Sequence, residues 1–181
     1  HALDKVGAFV NSPVGFYHLL EPDQKTLSLQ RWSTRTPREF CQAQGRDMHH
    51  NLSEAGVWAD CVREKKPVIH NDCAALPHKK GTPQDHVKMT RELVVPVMRE
   101  DKIVAILGVG NKPTEYTQQD TEIISYLADV TWEIVRQKRA ESQRAVALKA
   151  LRKSEKQYRN LFNSIADAVF VHDMRGKTLD V

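Results

Sequence analysis

Histidine, aspartate and cysteine side chains are concentrated between residues 49 and 86 of the sequence. They are His49, His50, His70, His78 and His86, with Asp72, Cys61 and Cys73 close by. Imidazole, carboxylate and thiolate groups are the usual protein ligands of zinc and other transition metals. No two of the histidines, and no two of the cysteines, have the i, i+4 or two-residue-gap spacing that marks a metal site. The pattern therefore favours solvated loop histidines over a metal centre.

A cysteine could instead carry a covalently attached haem or bilin. The sequence has no C-x-x-C-H haem-attachment motif and none of the motifs of bilin-binding proteins. The three cysteines Cys41, Cys61 and Cys73 are scattered with no C-x-x-C pair, which argues against a disulfide framework and a structural zinc site and favours a reducing compartment. We therefore interpret Cys61 as a helix core residue and Cys73 as a loop thiol.

Catalytic motifs are missing from the sequence. It has no G-x-S-x-G, no phosphate-binding G-x-x-x-x-G-K-[ST], and no kinase or nucleotide-cyclase motif. Asp72 and His86 could be drawn as an acid and base pair, but no nucleophile accompanies them. We therefore expect the chain to be non-catalytic.

Hydrophobic periodicity predicts the elements that would position these groups. The end of a helix is predicted over residues 3–9, followed by a β-hairpin of residues 15–20 and 26–33. In the second strand, alternation places Leu27 and Leu29 on one face and Trp32 on the other. A short helix or loop is predicted over residues 38–44.

The next part of the chain is predicted to complete the sheet. Ser53 is expected to cap a helix that ends near Lys66, before a short buried strand at residues 68–70. Residues 71–90 are polar and irregular, as in a lid or binding loop. Residues 91–99 and 102–111 are expected to pair at the centre of the sheet, and Gly108 and Gly110 mark where the second strand bends or admits a close neighbour.

A long helix is predicted from Thr117, where residues 117–120 resemble a capping box. Its apolar residues recur at helical spacing, and four of them would form the face of a dimer. These are Ile123, Leu127, Val130 and Ile134. The apolar seam then has a polar break before Leu148 and Leu151, which is typical of a signalling connector rather than a uniform coiled coil.

Four segments between residues 57 and 112 carry a family resemblance. They read VWADCVR (57–63), PVIHND (67–72), RELVVPV (91–97) and IVAILGVGNK (103–112). Their order resembles a GAF domain, of the variety that precedes PAS domains in bacterial and archaeal signalling proteins. The resemblance implies an α+β fold, with a central antiparallel β-sheet flanked by helices and a long C-terminal connector helix.

In the GAF fold, a small ligand lies between the sheet and the connections that cover it, here residues 45–58 and 71–90. The candidate ligand-binding residues are Trp32, Trp58, Asn71, Asp72, His86 and Arg91. Aromatic side chains would supply stacking area, and the polar ones directional hydrogen bonds. The alternative is a collapsed pocket without a ligand. Trp58 would then be core, Asn71 and Asp72 would form a turn or helix cap, and Arg91 would pair with Asp72 or Glu92. The ligand is unknown; a purine, a cyclic nucleotide or a small carboxylate would fit.

Residues 154–173 resemble the beginning of a PAS domain, so the connector helix would lead into it. The predicted organisation is a GAF sensory domain at 1–135, a helical linker at 136–157 and a PAS fragment at 158–181. Only part of a PAS core is present, so residues 169–171 are expected to be disordered or to pair outside this chain. The resemblance implies an input module of a sensor histidine kinase or a diguanylate cyclase, acting as a homodimer through the helix. A ligand-free dimerisation spacer is the second hypothesis, and a metal or tetrapyrrole sensor is the third.

The distribution of charge and hydropathy argues against nucleic acid and membrane as partners. The net charge is +4, but residues 136–159 alone carry +7, so the rest of the chain is slightly acidic. An acidic module has no basic face for nucleic acid. No segment approaches the ~18 apolar residues of a membrane span. We therefore expect a cytoplasmic module without direct membrane contact, in a parent protein that could be anchored elsewhere.

Overall fold

The 181-residue chain forms two compact units, His1–Val135 and Arg136–Val181. The computed structural model describes residues 2–36, 50–51, 56–76, 88–164, 171–172, 175 and 178–179. The helices are α1 (Ala2–Phe9), a short 3-10 helix (Val57–Ala59), α2 (Asp60–Glu64) and α3 (Gln118–Ser164). The strands are β1 (Val14–Leu20), β2 (Thr26–Trp32), β3 (His50–Asn51), β4 (Val68–His70), β5 (Glu92–Arg99), β6 (Lys102–Gly110), β7 (Val171–His172) and β8 (Thr178–Leu179).

The first unit is built on a six-stranded antiparallel sheet in the order β3-β2-β1-β6-β5-β4. This confirms the predicted α+β architecture and its long C-terminal helix. The predicted sheet centre was half wrong: β6 is central, but its central neighbour is β1, and β5 lies beside the edge strand β4. A hairpin signal identifies β5 as one neighbour of β6, but it cannot identify the strand on the other side.

The two faces of the sheet bury different cores. On one face, Tyr17, Leu19 and Leu93 pack with Ile124 and Ala128 of α3 and with Val6 of α1. On the other, Phe16, Leu20 and Val94 pack with Cys61 and Val62 of α2. Successive residues of a strand point to opposite faces, so β1 and β5 contribute to both cores. We call these the α3 face and the α2 face.

The β1–β2 hairpin confirms the predicted pairing but not the predicted alternation. Leu19 pairs with Ser28 and His18 pairs with Gln30, so the register skips Leu29. This β-bulge reverses the side-chain order, and Leu27 and Trp32 both contact the α2-face core. A strict period of two cannot anticipate an inserted residue.

The α2 and β4 region follows the prediction in outline. Helix α2 ends at Glu64, and Lys65 has left-handed backbone with φ 52°. Strand β4 is half-buried rather than buried, because it lies at the edge of the sheet. The predicted Ser53 cap and the predicted element at residues 38–44 lie outside the described residues.

The start of α3 confirms the predicted capping box. Thr117 N donates to Asp120 Oδ2 at 2.8 Å, and Asp120 N donates to Thr117 Oγ1 at 3.3 Å. Lys112 Nζ lies 2.7 Å from the same carboxylate oxygen. Two backbone donors of the first turn are thereby satisfied, and the helix begins at a defined residue.

The second unit contains the rest of α3 and a small hairpin. β7 and β8 pair antiparallel, with Val171 opposite Leu179. The expectation that Val171 would find no partner within this chain was therefore wrong, because the residues after it return as a second strand. Val169 and Phe170 lie outside the described residues.

Candidate functional site: an aromatic group and a buried charge cluster

Four rings meet on the α2 face of the sheet: Phe16, His18, Trp32 and Trp58, here called the aromatic group. The ring centroids lie 5.2 Å apart for Phe16 and His18, 5.3 Å for His18 and Trp58, and 5.6 Å for Phe16 and Trp32. These separations lie within the range of favourable tilted and edge-to-face ring contacts. The group contains both tryptophans that the sequence predicted as ligand-binding.

Local structure explains how residues from three elements converge there. Phe16 and His18 are two positions apart on β1 and so share a face. Trp32 is the cross-strand partner of Phe16 on β2. Trp58 comes from the 3-10 helix that leads into α2. Each ring is therefore set by the backbone of a strand or helix.

Gly108 on β6 makes room for the Phe16 ring. It is the cross-strand partner of Phe16, and a Cβ atom at Gly108 would overlap the tip of that ring. Gly110, two positions on, leaves similar room for the Met89 methyl group. Of the two alternatives predicted for the glycines of β6, a bend or a close neighbour, the structure confirms the close neighbour.

Burial divides the aromatic group into a floor and a rim. Phe16 and His18 are 3% and 4% exposed, whereas Trp32 and Trp58 are half-buried. The indoles therefore offer accessible ring area beside a closed floor formed by the rings of Phe16 and His18. This arrangement can stack against a planar organic molecule.

A buried charge cluster lies on the same face, between β4, β5 and α2. His70 Nδ1 is 2.9 Å from Glu92 Oε1, and His70 Nε2 is 3.4 Å from Asp60 Oδ2. Arg63 Nη1 contacts Asp60 Oδ1 at 2.5 Å. The hydrogen bond that His70 Nδ1 donates to the Glu92 carboxylate raises the pKa of His70, although burial opposes this. The two carboxylates are thus paired with the imidazole of His70 and the guanidinium of Arg63.

Cys61 lies beside this cluster and is buried. Burial, followed by the negative charges of Glu92 and Asp60, raises the pKa of the Cys61 thiol. A thiol held protonated is a poor nucleophile and a poor metal ligand. Cys61 therefore acts as a core side chain here.

The pairing of His70 makes the stability of the fold depend on pH. Its pKa is raised above the ordinary 6.5 in the folded state. The stabilisation by His70 is therefore complete below about pH 6.5 and is lost as pH rises through the raised folded-state value. Urea unfolding from about pH 6 to about pH 9 should show the free energy of unfolding falling for the native protein. His70→Gln should flatten the curve in that window, and parallel curves would contradict this assignment.

Of the other predicted ligand residues, Asn71 and Asp72 use their side chains to bond the backbone. The Asn71 amide bonds the backbone of Tyr116, and the Asp72 carboxylate accepts from the backbone of Ala74 and Ala75 in an exposed turn. Arg91 is half-buried, and its buried Nε has no hydrogen-bond partner among the described residues. His86 lies outside the described residues.

Phe16 and His18 were not predicted as site residues. Their i, i+2 spacing on a predicted strand was the available signal, whereas the pairing of Phe16 opposite Trp32 is visible only in the structure. Among the remaining metal-ligand candidates, Cys73 is buried, while His49, His78 and the side chain of His50 lie outside the described residues. The described residues contain no group of three or more His, Cys, Asp or Glu side chains that could hold a metal ion.

The fold and the site identify the class of protein. Residues 1–136 match the family model of the GAF domain, so the chain belongs to the GAF domain family. A curated relative, the methyl sulfide methyltransferase-associated sensor of Methanosarcina acetivorans, is 31% identical over 141 residues. The match covers 77% of this chain but only 14% of the length of that sensor.

Solved structures show the same fold at low sequence identity. The GAF domain of a phosphoenolpyruvate-protein phosphotransferase from Coxiella burnetii aligns with a TM-score of 0.63 at 12% identity, over 78% of this chain and 82% of that one. Residues 122 to 287 of a methyl-accepting chemotaxis protein align with a TM-score of 0.58 at 16% identity, over 75% and 85% of the two chains. Within the described part of the chain, no helix is both long and apolar enough to cross a membrane.

Proposed function

We propose that this chain is the sensory input segment of a multidomain signal-transduction protein. A small organic ligand would bind at the aromatic group, and α3 would relay its presence within a homodimer to a downstream PAS domain and an output domain. The observation that carries this proposal is the pair of half-buried indoles, Trp32 and Trp58, above a closed floor. The curated relative is itself named a sensor, which supports an input role.

The contacts at the site favour one class of ligand. The nearby carboxylates of Glu92 and Asp60 already pair with His70 and Arg63, so the site offers stacking area rather than a net charge. Of the candidates that the sequence left open, a neutral planar molecule such as a purine fits this better than a small carboxylate does.

The relay would use the exposed side of α3. Ile123 and Leu127 pack partly on the core of the α3 face, whereas Val130 and Ile134 are 39% and 50% exposed. Further along α3, apolar residues are exposed at heptad-like spacing: Leu148, Leu151, Tyr158 and Phe162. Such a stripe is stabilised when it packs against a second copy of the helix. A homodimer would thus form through Val130, Ile134 and the residues that follow.

The finer parts of the proposal rest on resemblance. Residues 154–173 resemble the start of a PAS domain, and the parent would be a sensor histidine kinase or a diguanylate cyclase. This segment itself would be non-catalytic and cytoplasmic, without nucleic-acid or membrane partners.

Native mass spectrometry of the purified chain tests ligand and dimer together. We expect twice the chain mass plus a non-covalent mass that is lost on denaturation. Trp58→Ala should lose the extra mass but keep the dimer, because Trp58 belongs to the aromatic group and not to α3. A dimer without bound mass, unchanged by added purines and carboxylates, would contradict the proposal of ligand binding but agree with the proposed dimer.

Tryptophan fluorescence locates the ligand. The chain has three tryptophans, and Trp132 packs on the opposite, α3 face. In Trp132→Phe, only Trp32 and Trp58 report, so an added purine that stacks on them should change the emission. The matched variant Trp32→Phe with Trp58→Phe retains only Trp132 and should be silent.

The ligand-free spacer is the second candidate. The observation that favours it is the mutual contact of the four rings, which resembles a filled core. The spacer hypothesis predicts that native mass spectrometry finds a dimer with no additional bound mass. A pigment or metal sensor would show absorbance between about 350 and about 700 nm or a metal in the native mass.

A further inference from the structure

We infer that strand β4 couples the aromatic group to the start of α3, and that Asn71 is the positioning residue of this link. The inference rests on the proposed function, because it concerns how the state of the sensing face would reach the relay helix. It assigns Asn71, predicted from the sequence to bind the ligand, a different role.

Asn71 holds both backbone groups of one residue at the entrance to α3. Its Nδ2 donates to Tyr116 O at 3.1 Å, and its Oδ1 accepts from Tyr116 N at 2.7 Å. Tyr116 directly precedes Thr117, the N-cap of α3. Its ring is buried, and its hydroxyl lies 2.7 Å from Ser12 Oγ. The side chain of Asn71 therefore fixes the point where α3 leaves the sheet.

The residue before Asn71 reaches the other face. His70 contacts Glu92 of β5 and Asp60, the first residue of α2. One residue, Ala59, separates Asp60 from Trp58 of the aromatic group. A displacement of Trp58 would therefore pass through Asp60 and His70 to Asn71 and then to Tyr116.

Strand β4 is suited to move as a unit. It has three half-buried residues and lies at the edge of the sheet, where its described ladder partner is β5. His70, the last residue of β4, contacts Asp60 and Glu92 on the α2 face. The next residue, Asn71, bonds Tyr116, which belongs to the core of the α3 face. One peptide unit thus connects groups on both faces. Coupling of this kind needs a physically continuous element that responds to both sites, and β4 supplies one.

Hydrogen exchange on the full chain tests this link without a ligand. The reporters are two backbone amides: that of Tyr116, which donates to Asn71 Oδ1, and that of Thr121, which donates to the Thr117 carbonyl. Asn71→Ala should raise their exchange rates about tenfold, and Asn71→Asp, which keeps the acceptor for Tyr116 N, should raise them less. Asp72→Ala is the matched control. It removes a neighbouring cap of a local turn and should change them less than about twofold.

The coupling between the aromatic group and the start of α3 is measured with a second substitution, at Asp60, two residues from Trp58. Asp60→Asn should raise exchange at Tyr116 and Thr121 in the native background and in Asp72→Ala, but add nothing in Asn71→Ala. The amides of Ile106 and Leu107 in central β6 serve as the reference for global destabilisation. A purely structural Asn71 would give additive effects, which would overturn the inference, as would an Asp60→Asn that leaves both reporters unchanged. Failure of ligand binding in the mass measurement would leave this result unaffected, so the two proposals fail separately.

Discussion

Truncation of Phe16 to alanine is expected to lower the free energy of unfolding by about 4 kcal/mol. The ring is 3% exposed and contacts His18, Trp32 and Trp58. It also covers Gly108, so its removal leaves a void that no neighbouring Cβ can fill. Urea unfolding measures the loss. Phe9→Ala is the matched control, because Phe9 is 68% exposed, and its effect should stay within about 0.5 kcal/mol.

The glycine beneath the ring provides the decisive comparison. Gly108→Ala alone should cost about 2 kcal/mol, because its methyl group would overlap the Phe16 ring. In the double variant the methyl group occupies the vacated space, so the combined loss should be smaller than the sum by about 1 kcal/mol or more. Strict additivity would show that the ring does not rest on Gly108.

Replacement of Glu92 by leucine is expected to cost about 3 kcal/mol, near the lower end for breaking a buried ion pair. Glu92 is 1% exposed and directly faces His70 across the β4–β5 ladder. We expect a cost near the lower end because the His70 imidazole can lose its proton in the variant, which leaves no uncompensated charge on that side chain. Glu92→Gln can still accept a hydrogen bond from His70 Nδ1, and should cost only about 1 kcal/mol. Chemical denaturation near pH 6, where His70 is charged, gives the comparison.

Two further variants distinguish the effect of the Glu92–His70 ion pair from the effect of side-chain packing at position 92. Glu64→Gln, at the end of α2, removes a carboxylate from an exposed pair with Lys66 and should cost less than about 1 kcal/mol. Leucine at both position 92 and position 70 removes both charges, and should recover part of the loss of Glu92→Leu. If the double variant is less stable than Glu92→Leu, Glu92 is not held by its ion pair.

The sequence predicted the elements well where local rules decide the outcome. The Thr117 capping box and the β5–β6 hairpin each depend on a few neighbouring residues. The central position of β1 does not, since it follows from pairing with a distant strand. The bulge at Leu29 is a one-residue register change that no periodicity reveals, and it alone places Leu27 and Trp32 on the same face.

Residue type was a weaker guide to the candidate site. Trp32 and Trp58 lie in the aromatic group, as large rings near a sheet face often do. Asn71 carries the donor and acceptor of a ligand-binding residue, but the backbone of Tyr116 uses both. A side-chain amide has the same chemistry in either role, so only its position in the fold distinguishes them. Phe16 and His18 were missed because their membership depends on the β1–β2 register.

The ladder at the centre of the sheet joins Val14 to Gly110, close to opposite ends of the first unit. On a ribosome that adds about 5 to 20 residues per second, β1 would wait roughly 5 to 20 seconds before β6 exists to pair with it. Throughout that interval β1 could pair with β2 alone, and Leu19 would lack Leu93 and Leu107, with which it shares the core of the α3 face. Because pairing between such distant strands also slows folding itself, the newly made chain would depend on protection from aggregation until β6 has been synthesised.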